Sequence, residues 1–349
     1  MTKNKKKNFH IYFWCCDFYS NTGEGKLAIL FLDYLLKIIK KKTIKIETFN
    51  KDFYIKKKIQ KEIYLESKKI NFNPFRNYFL PFLGIFMLWI NYFKSKKIFY
   101  INYLPLWNIF IFLLAPPKTN FGPITGSIYL GKVNNLSTFI RKYIFFILFN
   151  ISYLLLLIRK TNLIFATNNL YSLNKNISHN KNLFNFQILY LHNKKITKIK
   201  KNIDFLIYYR KHGSKNYNYL KKIISHNIFK KNYCIGNKFL FKSVNNLGVI
   251  DYLRAQDLLA RARFTFVTSE NFQSFHCMDS VLNSLNIFFD KNYIRQDKNL
   301  LLNYVKFKKV YLSNSSLKKF VYYKTEDINK KKLNLLHNHS INFLKNYLY

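Results

Sequence analysis

Two apolar runs in the second half of the chain each end in residues that can bind an anionic, hydroxylated ligand. Ile203–Tyr209 is followed by Arg210 and Lys215, two fixed cations five positions apart. Arg263–Thr268 is followed by Glu270, a carboxylate. Cations bind phosphate oxygens, and a carboxylate accepts hydrogen bonds from hydroxyls. The spacing therefore predicts a ligand that carries both phosphates and hydroxyls.

Both runs are predicted to be buried strands that lead into helices. In a parallel α/β sheet, ligands bind outside the carboxyl ends of the strands, where the polar residues of both runs would meet. The same alternation of strand and helix patterns continues through the second half. Further helices are predicted over Tyr217–Ile224, Ile250–Ala262, Ser274–Leu285 (with His276 and Cys277 as packing residues) and Lys331–Tyr349, and further strands over Asn232–Ile235 and Asn286–Phe289.

The chain also begins with a strand, a glycine-bearing loop, a helix and a second strand. The predicted strands are Phe9–Phe18 and Thr43–Phe49, and the predicted helix is Leu27–Lys40. This order is typical of a βαβ unit. In the loop, Gly23 and Gly25 would let backbone amides face a ligand at the start of the helix, although a plain tight turn explains them equally well. The full GxGxxG fingerprint is absent, so we do not predict a nicotinamide cofactor.

The rest of the first half is apolar, and a polar stretch follows it. Strands are predicted over Ile98–Leu104 and Leu163–Thr167, a helix or strand over Asn108–Leu114, and a rigid turn over Phe121–Ser127. Ser172–Asn185 is rich in Asn, Ser and Lys, which is typical of a domain boundary. We therefore predict two α/β domains, residues 1–180 and 181–349, with a ligand cleft between them.

Tyr143–Ile158 is the segment most similar to a membrane span. As a helix, its 16 residues would cover about 24 Å, which is less than the roughly 30 Å hydrocarbon core of a bilayer. Basic pairs flank both ends, so they give no orientation signal. We predict a core helix of an α/β domain, with membrane insertion as the alternative.

The composition is strongly basic. The 349 residues include 59 Lys and Arg against 16 Asp and Glu, which gives a net charge of +43. Part of the Lys excess accompanies abundant Asn, Ile, Phe and Tyr, all of which A/T-rich codons encode. The scarcity of acids still favours anionic partners such as lipid headgroups, nucleic acids or phosphorylated substrates.

Nucleic acid is the alternative partner for so basic a chain. The sequence has no zinc-finger spacing, no RNP-type aromatic motif and no basic region that runs into heptads. Nucleic-acid binding is therefore disfavoured.

The cysteines and the start of the chain bear on its location. The four cysteines form no CxxC pair, and the basic start of the chain leads into a run without a signal-peptide cleavage site. We expect a cytoplasmic location.

The second half resembles the group-one, glycogen-synthase-like glycosyltransferases, whose GT-B fold consists of two Rossmann-like domains that face each other across a cleft. Arg210 and Lys215 match the Arg-x4-Lys pair that holds the donor diphosphate in that family. The segment that contains Glu270, Asn271 and Phe272 resembles its Ser-Glu-Gly-Phe motif. The resemblance implies that Glu270 contacts the donor sugar and that Asn271 and Phe272 belong to the donor-binding loop.

The chain departs from this family at the second acid of its Glu-x7-Glu motif, which holds the ribose hydroxyls. Eight positions after Glu270 stands Met278, and the next residue is Asp279. Downstream, Ser284–Ile287 stands in the place of the family's Gly-Thr-Pro-Val segment, also shifted by one residue. A one-residue insertion would put Asp279 in the ribose role; without it, that contact is missing.

Further similarities surround these motifs. Leu247-Gly248 resembles the loop before the helix that precedes the Glu motif, and Gly122–Gly126 is similar to a Gly-Pro-x-x-Gly segment of some members. Gly23 and Gly25 lie where the family's donor-phosphate glycine loop is found. The resemblance extends over Ile203–Phe289 and is faint before it.

The resemblance implies retaining transfer of a sugar from a nucleotide-sugar donor to a glycan or lipid-linked acceptor, in the synthesis of cell-surface polysaccharide or lipopolysaccharide. The first domain would bind the acceptor. The second would bind the donor and end in the C-terminal helix. The donor is a substrate, so no cofactor and no metal site are expected. A basic, aromatic surface favours peripheral attachment to the inner face of the cell membrane.

A second hypothesis is a catalytically inactive, GT-B-like binding or scaffold protein at the membrane surface. The missing acid at Met278 supports it. The two hypotheses differ in whether the protein binds a sugar nucleotide at Arg210.

Overall fold

The computed structural model describes residues 11–15, 31, 44–48, 52–55, 74–94, 96–101, 108–124, 133, 136–159, 161–165, 199–211, 215–268, 274–289, 305–312, 320–335, 337–338 and 342. The chain divides into two compact units, one containing the first six strands and the other the last seven. The predicted boundary at Ser172–Asn185 lies outside the described residues, between the sixth and seventh strands.

The first unit contains a six-stranded, mostly parallel sheet. Its strands are β1 (Ile11–Cys15), β2 (Ile44–Thr48), β3 (Asp52–Ile55), β4 (Lys97–Ile101), β5 (Asn120–Ile124) and β6 (Asn162–Phe165). Their order is β3-β2-β1-β4-β5-β6, and β3 alone runs antiparallel to its neighbour. At the centre, Phe13 of β1 lies between Ile46 of β2 and Phe99 of β4. Such near-continuous apolar strands are typical of a parallel sheet that is covered on both faces.

Three helices of this unit precede the last three strands of the sheet: α1 (Pro74–Phe93), α2 (Ile109–Leu114) and α3 (Leu136–Ile158). All three are apolar, and α3 widens into a π-type turn at Ile140–Ile144. Because α3 begins at Leu136 instead of the predicted Tyr143, it has 23 residues. Among the described residues, α3 is the helix that is long and apolar enough to cross a bilayer by length and composition.

The second unit contains a seven-stranded sheet. Its strands are β7 (Ile203–Tyr209), β8 (Asn232–Gly236), β9 (Val244–Gly248), β10 (Ala262–Val267), β11 (Asn286–Phe289), β12 (Val305–Tyr311) and β13 (Val321–Ile328). Five of them form a parallel block in the order β9-β8-β7-β10-β11. The antiparallel pair β13 and β12 extends the sheet beyond β11.

Three helices connect the parallel strands: α4 (Asn218–Ser225), α5 (Tyr252–Arg261) and α6 (Phe275–Leu282). Two of them begin at a capping side chain. The Asp251 side chain accepts a hydrogen bond from the Arg254 amide, and the Ser274 side chain accepts one from the Cys277 amide. The central strand β7 is buried on both faces. Phe205 packs in the core cluster that contains α4 residues, and its neighbour Leu206 packs in the cluster that contains α5 residues.

The predicted α/β class with mostly parallel sheets is confirmed, and β7 and β11 have the predicted bounds. Three parts of the prediction are wrong or incomplete. Leu247-Gly248, predicted as a loop, ends strand β9. Phe121–Ile124, predicted as the start of a turn, lies in β5. The strands β3, β12 and β13 were not predicted.

The residues of β5 explain why this strand was predicted to be a turn. Gly122 and Pro123 are typical turn residues, and the pairing of β5 with β6 shifts register between Phe121 and Ile124. Proline has no amide hydrogen to donate to a ladder, so it interrupts the pairing without ending the strand. Of the predicted final helix, residues 331–335, 337–338 and 342 are described, and they are helical.

Candidate functional site

The carboxyl ends of β7 and β10 form the edge to which the sequence motifs belong. The two strands are adjacent and parallel, with Thr265 of β10 opposite Leu206 of β7. The strands that follow β7 in the sequence, β8 and β9, lie on one side of it in the sheet. β10 and then β11 lie on its other side. The strand order therefore reverses between β7 and β10, and in doubly wound sheets ligands bind outside the carboxyl ends of the strands at such a point.

Arg210 follows β7 directly, and its backbone is fixed by Tyr217. The Arg210 amide donates to the Tyr217 hydroxyl (3.1 Å), and that hydroxyl donates back to the Arg210 carbonyl oxygen (3.3 Å). Tyr217 is itself buried in the core cluster that contains α4 residues. The guanidinium side chain of Arg210 is exposed to solvent. A fixed backbone with an exposed cation suits the recognition of an anion at this edge.

A second set of hydrogen bonds ties the end of β8 to the loop after β7. The Asn237 amide donates to the Tyr209 carbonyl oxygen (2.8 Å), and the Asn237 side chain accepts from the Lys211 amide (2.8 Å). Gly236 makes this approach possible, because it has φ +97° and a Cβ there would lie 2.3 Å from the Tyr209 oxygen. Only glycine fits such a position without strain.

Lys215 lies on the same loop and faces an aromatic ring. Its Nζ is 5.9 Å from the centroid of the Tyr208 ring, which is within the range of a cation–π contact. Lys215 is partly buried, whereas Arg210 is exposed. The structure therefore places both cations of the Arg-x4-Lys pair after β7, in different surroundings. Residues 212–214 between them lie outside the described residues.

His276 in the first turn of α6 lies close to this cation. Its ring is 5.3 Å from the Tyr208 ring, and its Nε2 is 3.0 Å from the Thr265 hydroxyl. That hydroxyl donates to the Leu206 carbonyl oxygen (2.7 Å), so it accepts from the imidazole. Burial lowers the pKa of His276 to about 4, Lys215 also lowers it, and Asp279 opposes the shift. At neutral pH the ring is therefore uncharged.

The residue at the end of β10 carries an unsatisfied polar group. Thr268 is 2% exposed, and its hydroxyl has no hydrogen-bond partner within the described structure. Buried hydroxyls are almost always paired in proteins, so such an atom at a ligand-binding edge is a candidate contact for a ligand. Thr268 was not among the predicted site residues, although its position directly after a buried strand was a signal in the sequence.

The predicted sugar-binding segment follows Thr268. Glu270, Asn271 and Phe272 lie outside the described residues. The residues on either side are described: Thr268 follows β10, and Ser274 caps α6. Gly23 and Gly25 of the first half also lie outside the described residues, in the segment after β1.

Asp279 is buried between two helices. It is 2% exposed, and its carboxylate accepts a hydrogen bond from the Gln256 side-chain amide of α5. Met278, at the position of the family's second acid, is 1% exposed and belongs to the core. The ribose role of Asp279 stays a prediction, and the structure identifies Gln256 as a partner of its carboxylate.

The end of α6 has a conformation that favours glycine. Ser284 has φ +53°. Its amide donates to the Val281 carbonyl oxygen, and the Leu285 amide donates to that of Ser280 (2.9 Å), which is the Schellman pattern. Ser284 stands where the resemblance places the glycine of the Gly-Thr-Pro-Val segment, so the backbone keeps the glycine-like shape without the glycine.

Within the described part of the chain, no group of three or more His, Cys, Asp or Glu side chains is arranged to hold a metal ion. At the carboxyl ends of β7 and β10, the described residues thus bring together cationic side chains, hydroxyls and a neutral imidazole. No family model matches the chain, and no curated protein matches it.

Proposed function

We propose that this protein is a GT-B glycosyltransferase that moves a sugar from a nucleotide-sugar donor to a glycan or lipid-linked acceptor. The supporting observation is the position of Arg210 and Lys215. Both follow β7, the strand at which the order of the parallel sheet reverses. A donor diphosphate at the carboxyl end of this strand would meet two cationic side chains.

The chemistry of the reaction explains why cations are needed there. When the bond between the sugar and the diphosphate breaks, negative charge develops on the departing phosphate oxygens. Fixed cations stabilise this charge more strongly in the transition state than in the bound donor, and so they accelerate the step. Arg210 would bind oxygens through its planar guanidinium, and Lys215 would act as a point charge.

The order of the surrounding elements supports the same proposal. Along the chain, Arg210 and Lys215 precede β9 and α5, and β10 then leads through Glu270 into α6. After the helix ends at Leu282, Ser284 has a glycine-like conformation. This is the sequence of motifs expected from the group-one, glycogen-synthase-like family. Retention of configuration at the sugar belongs to this proposal as well.

The acceptor side of the proposal concerns the first unit. The stretch from Ser67 to Phe186, most of which belongs to this unit, contains no Asp or Glu and many apolar side chains. An acceptor carried on a lipid, or an anionic surface glycan, would match this surface, and so would a cytoplasmic enzyme attached to the inner face of the membrane. The proposed pathway is the synthesis of cell-surface polysaccharide or lipopolysaccharide.

Donor binding by charge variants tests the proposal. Titration calorimetry with the sugar nucleotide that binds wild type should show about 10- to 100-fold weaker affinity for Arg210→Ala and for Lys215→Ala, since each loses a charge-assisted hydrogen bond to phosphate. Lys211→Ala is the matched control: it removes an exposed cation from the same loop and should bind nearly as wild type. Equal losses in all three variants would assign the effect to net charge and contradict a donor site at Arg210 and Lys215.

The second candidate, a catalytically inactive GT-B-like protein, is favoured by Met278 and Asp279. Met278 is a core residue at the position where the family has the second acid of its motif. The carboxylate of Asp279 already contacts Gln256. A donor would then lack its ribose contact. A folded wild type that binds no sugar nucleotide and transfers no sugar to membrane-extracted acceptors would support this candidate over the enzyme.

A further inference from the structure

Helices α1, α2 and α3 form one layer on one face of the first sheet. Their inner residues belong to a single core cluster that also contains residues of β1, β4 and β5. Leu88 of α1, Phe112 of α2 and Tyr153 of α3 are at most 1% exposed in this cluster. Since the three helices share one supporting surface, their opposite sides face the same way.

Two hydrogen bonds join the helices to one another. The Trp89 indole of α1 donates to the Leu114 carbonyl oxygen of α2 (2.8 Å). The Arg159 guanidinium, just after α3, donates to the Ala115 carbonyl oxygen at the end of α2. The layer is therefore held together from α1 to α3 and is a continuous surface.

The outer side of this layer is apolar and exposed. Phe86 is 62% exposed, Phe110 is 66% exposed and Ile158 is 75% exposed. The helical spacing of the exposed residues shows that each helix turns one apolar stripe inward and another outward. We call this side the outer apolar face; its main residues are Phe86, Phe93, Phe110, Ile147, Leu154 and Ile158. Contiguous exposed apolar surface of this kind marks an interaction site.

The charges around the outer apolar face indicate the partner. Lys94 and Lys97 follow α1, and Lys118 follows α2; all three are exposed. Each helix precedes a strand of the parallel set β4, β5 and β6, so these cations lie toward one edge of the sheet. The sequence from Ser67 to Ile203 contains no carboxylate side chain to repel an anion. Apolar surface bordered by cations is complementary to a bilayer that contains anionic lipids.

The packing of α3 favours a helix that lies on the bilayer over one that crosses it. Phe149, Tyr153 and Leu156 belong to the same core cluster as the strands. A helix that crossed the bilayer would expose these side chains to lipid and leave the sheet uncovered on that face. An interfacial position keeps the core intact and still buries the outer stripe.

We infer that the outer apolar face rests on an anionic lipid bilayer, with Lys94, Lys97 and Lys118 in contact with the headgroups. This surface belongs to the unit that contains β1–β6, whereas the proposed donor residues belong to the unit that contains β7–β13. The inference deepens the proposed membrane attachment but does not depend on sugar transfer. A chain that transfers no sugar would dock in the same way.

Flotation of the purified full-length protein with vesicles tests the inference. Wild type should float with vesicles of phosphatidylcholine and phosphatidylglycerol, and more weakly with phosphatidylcholine alone. The face variant Phe86→Glu/Ile147→Glu/Leu154→Glu should bind the mixed vesicles at least about tenfold more weakly, because it loses apolar contact and gains repulsion. Circular dichroism and the melting temperature check that the variant is folded; the substituted side chains are exposed, so folding should be retained.

The matched control is Leu240→Glu/Leu253→Glu/Leu335→Glu. It changes the net charge equally, and its three positions are exposed apolar residues of the unit that contains β7–β13. It should float as wild type does. Equal loss of binding in both triple variants would reduce the effect to net charge and overturn the inference.

Three further outcomes would also overturn it. Unchanged flotation of the face variant would mean that lipid binds elsewhere. Resistance of the membrane-associated protein to alkaline carbonate would mean that α3 spans the bilayer. Light scattering that shows a wild-type dimer and a monomeric face variant, with no vesicle binding by either, would assign the face to a second copy of the chain. Arg210→Ala should float normally, so a failed donor site and a failed docking face are distinguishable.

Discussion

His276 lies in the first turn of α6, with Thr265 and Tyr208 against its ring and Lys215 close enough to affect its charge. Burial is the largest cause that lowers its pKa to about 4. In the unfolded chain the ring would titrate near the ordinary value of about 6.5. Between these two values the unfolded chain binds more protons than the folded protein, so acidification favours unfolding.

This difference predicts a pH dependence of stability. As the pH falls from about 6.5 to about 4, the free energy of unfolding should decrease by up to about 1.4 kcal/mol per pH unit because of His276 alone. Chemical denaturation across this range should show a shallower decrease for His276→Gln than for wild type. His226→Gln replaces an exposed histidine and should follow wild type. Parallel curves for all three proteins would show that His276 is not held neutral by burial.

At the scale of elements, the loop after β7 is shaped by contacts from outside it. Tyr217, in front of α4, fixes the Arg210 backbone, and Asn237, after β8, fixes the Lys211 amide. Gly236 lets the end of β8 approach the Tyr209 carbonyl oxygen. The geometry of the proposed phosphate site therefore depends on residues that would not touch the phosphate.

Substitution of Gly236 tests this dependence. Gly236→Ala should lower the free energy of unfolding by about 2–4 kcal/mol, because it adds a clash with the Tyr209 oxygen to a left-handed backbone. Gly248→Ala is the control: Gly248 has φ +72°, but a Cβ there meets no atom within 4 Å. It should lose only about 1–2 kcal/mol. If both variants melt alike, the close approach at Gly236 contributes nothing.

The sequence predicted β7 and β11 well because a strand that is buried on both faces requires a continuous apolar run. Ile203–Tyr209 and Asn286–Phe289 are such runs, and both are strands with the predicted bounds. The hairpin of β12 and β13 was missed for the opposite reason. In β12, Lys306, Lys308 and Lys309 are exposed at the edge of the sheet, so the strand lacks a buried run. Lysines on an edge strand also hinder unwanted pairing with other chains.

The sequence predicted where the candidate site residues lie in the sheet, but it did not predict their side-chain contacts. Arg210 and Lys215 follow a strand in the sequence, so their place at the sheet edge could be inferred. The contact of Lys215 with Tyr208, the hydrogen bond of His276 with Thr265 and the unsatisfied Thr268 hydroxyl depend on how α6 packs on the sheet. No local pattern determines that packing, since it brings His276 of α6 against Tyr208 of β7, and these two residues are distant along the chain.

At the scale of the whole molecule, the net charge of +43 has two proposed roles in two separate units. In the unit that contains β7–β13, the cations at the carboxyl edge of the sheet would bind a donor diphosphate. In the unit that contains β1–β6, cations beside the outer apolar face would bind lipid headgroups. Both roles involve anionic phosphate, which is why composition alone could not distinguish them from nucleic-acid binding.

The most direct test of the proposed function is thermal stabilisation of the purified protein by UDP-, GDP-, ADP- and CMP-linked sugars, measured for wild type and for Glu270→Ala. The proposal predicts that one nucleotide class raises the melting temperature and that Glu270→Ala reduces the rise. At a ligand concentration 100-fold above the dissociation constant, the stabilisation should be about 2.7 kcal/mol. If a folded sample shows no rise with any of the four classes, the donor site is contradicted, and the catalytically inactive scaffold becomes the better account.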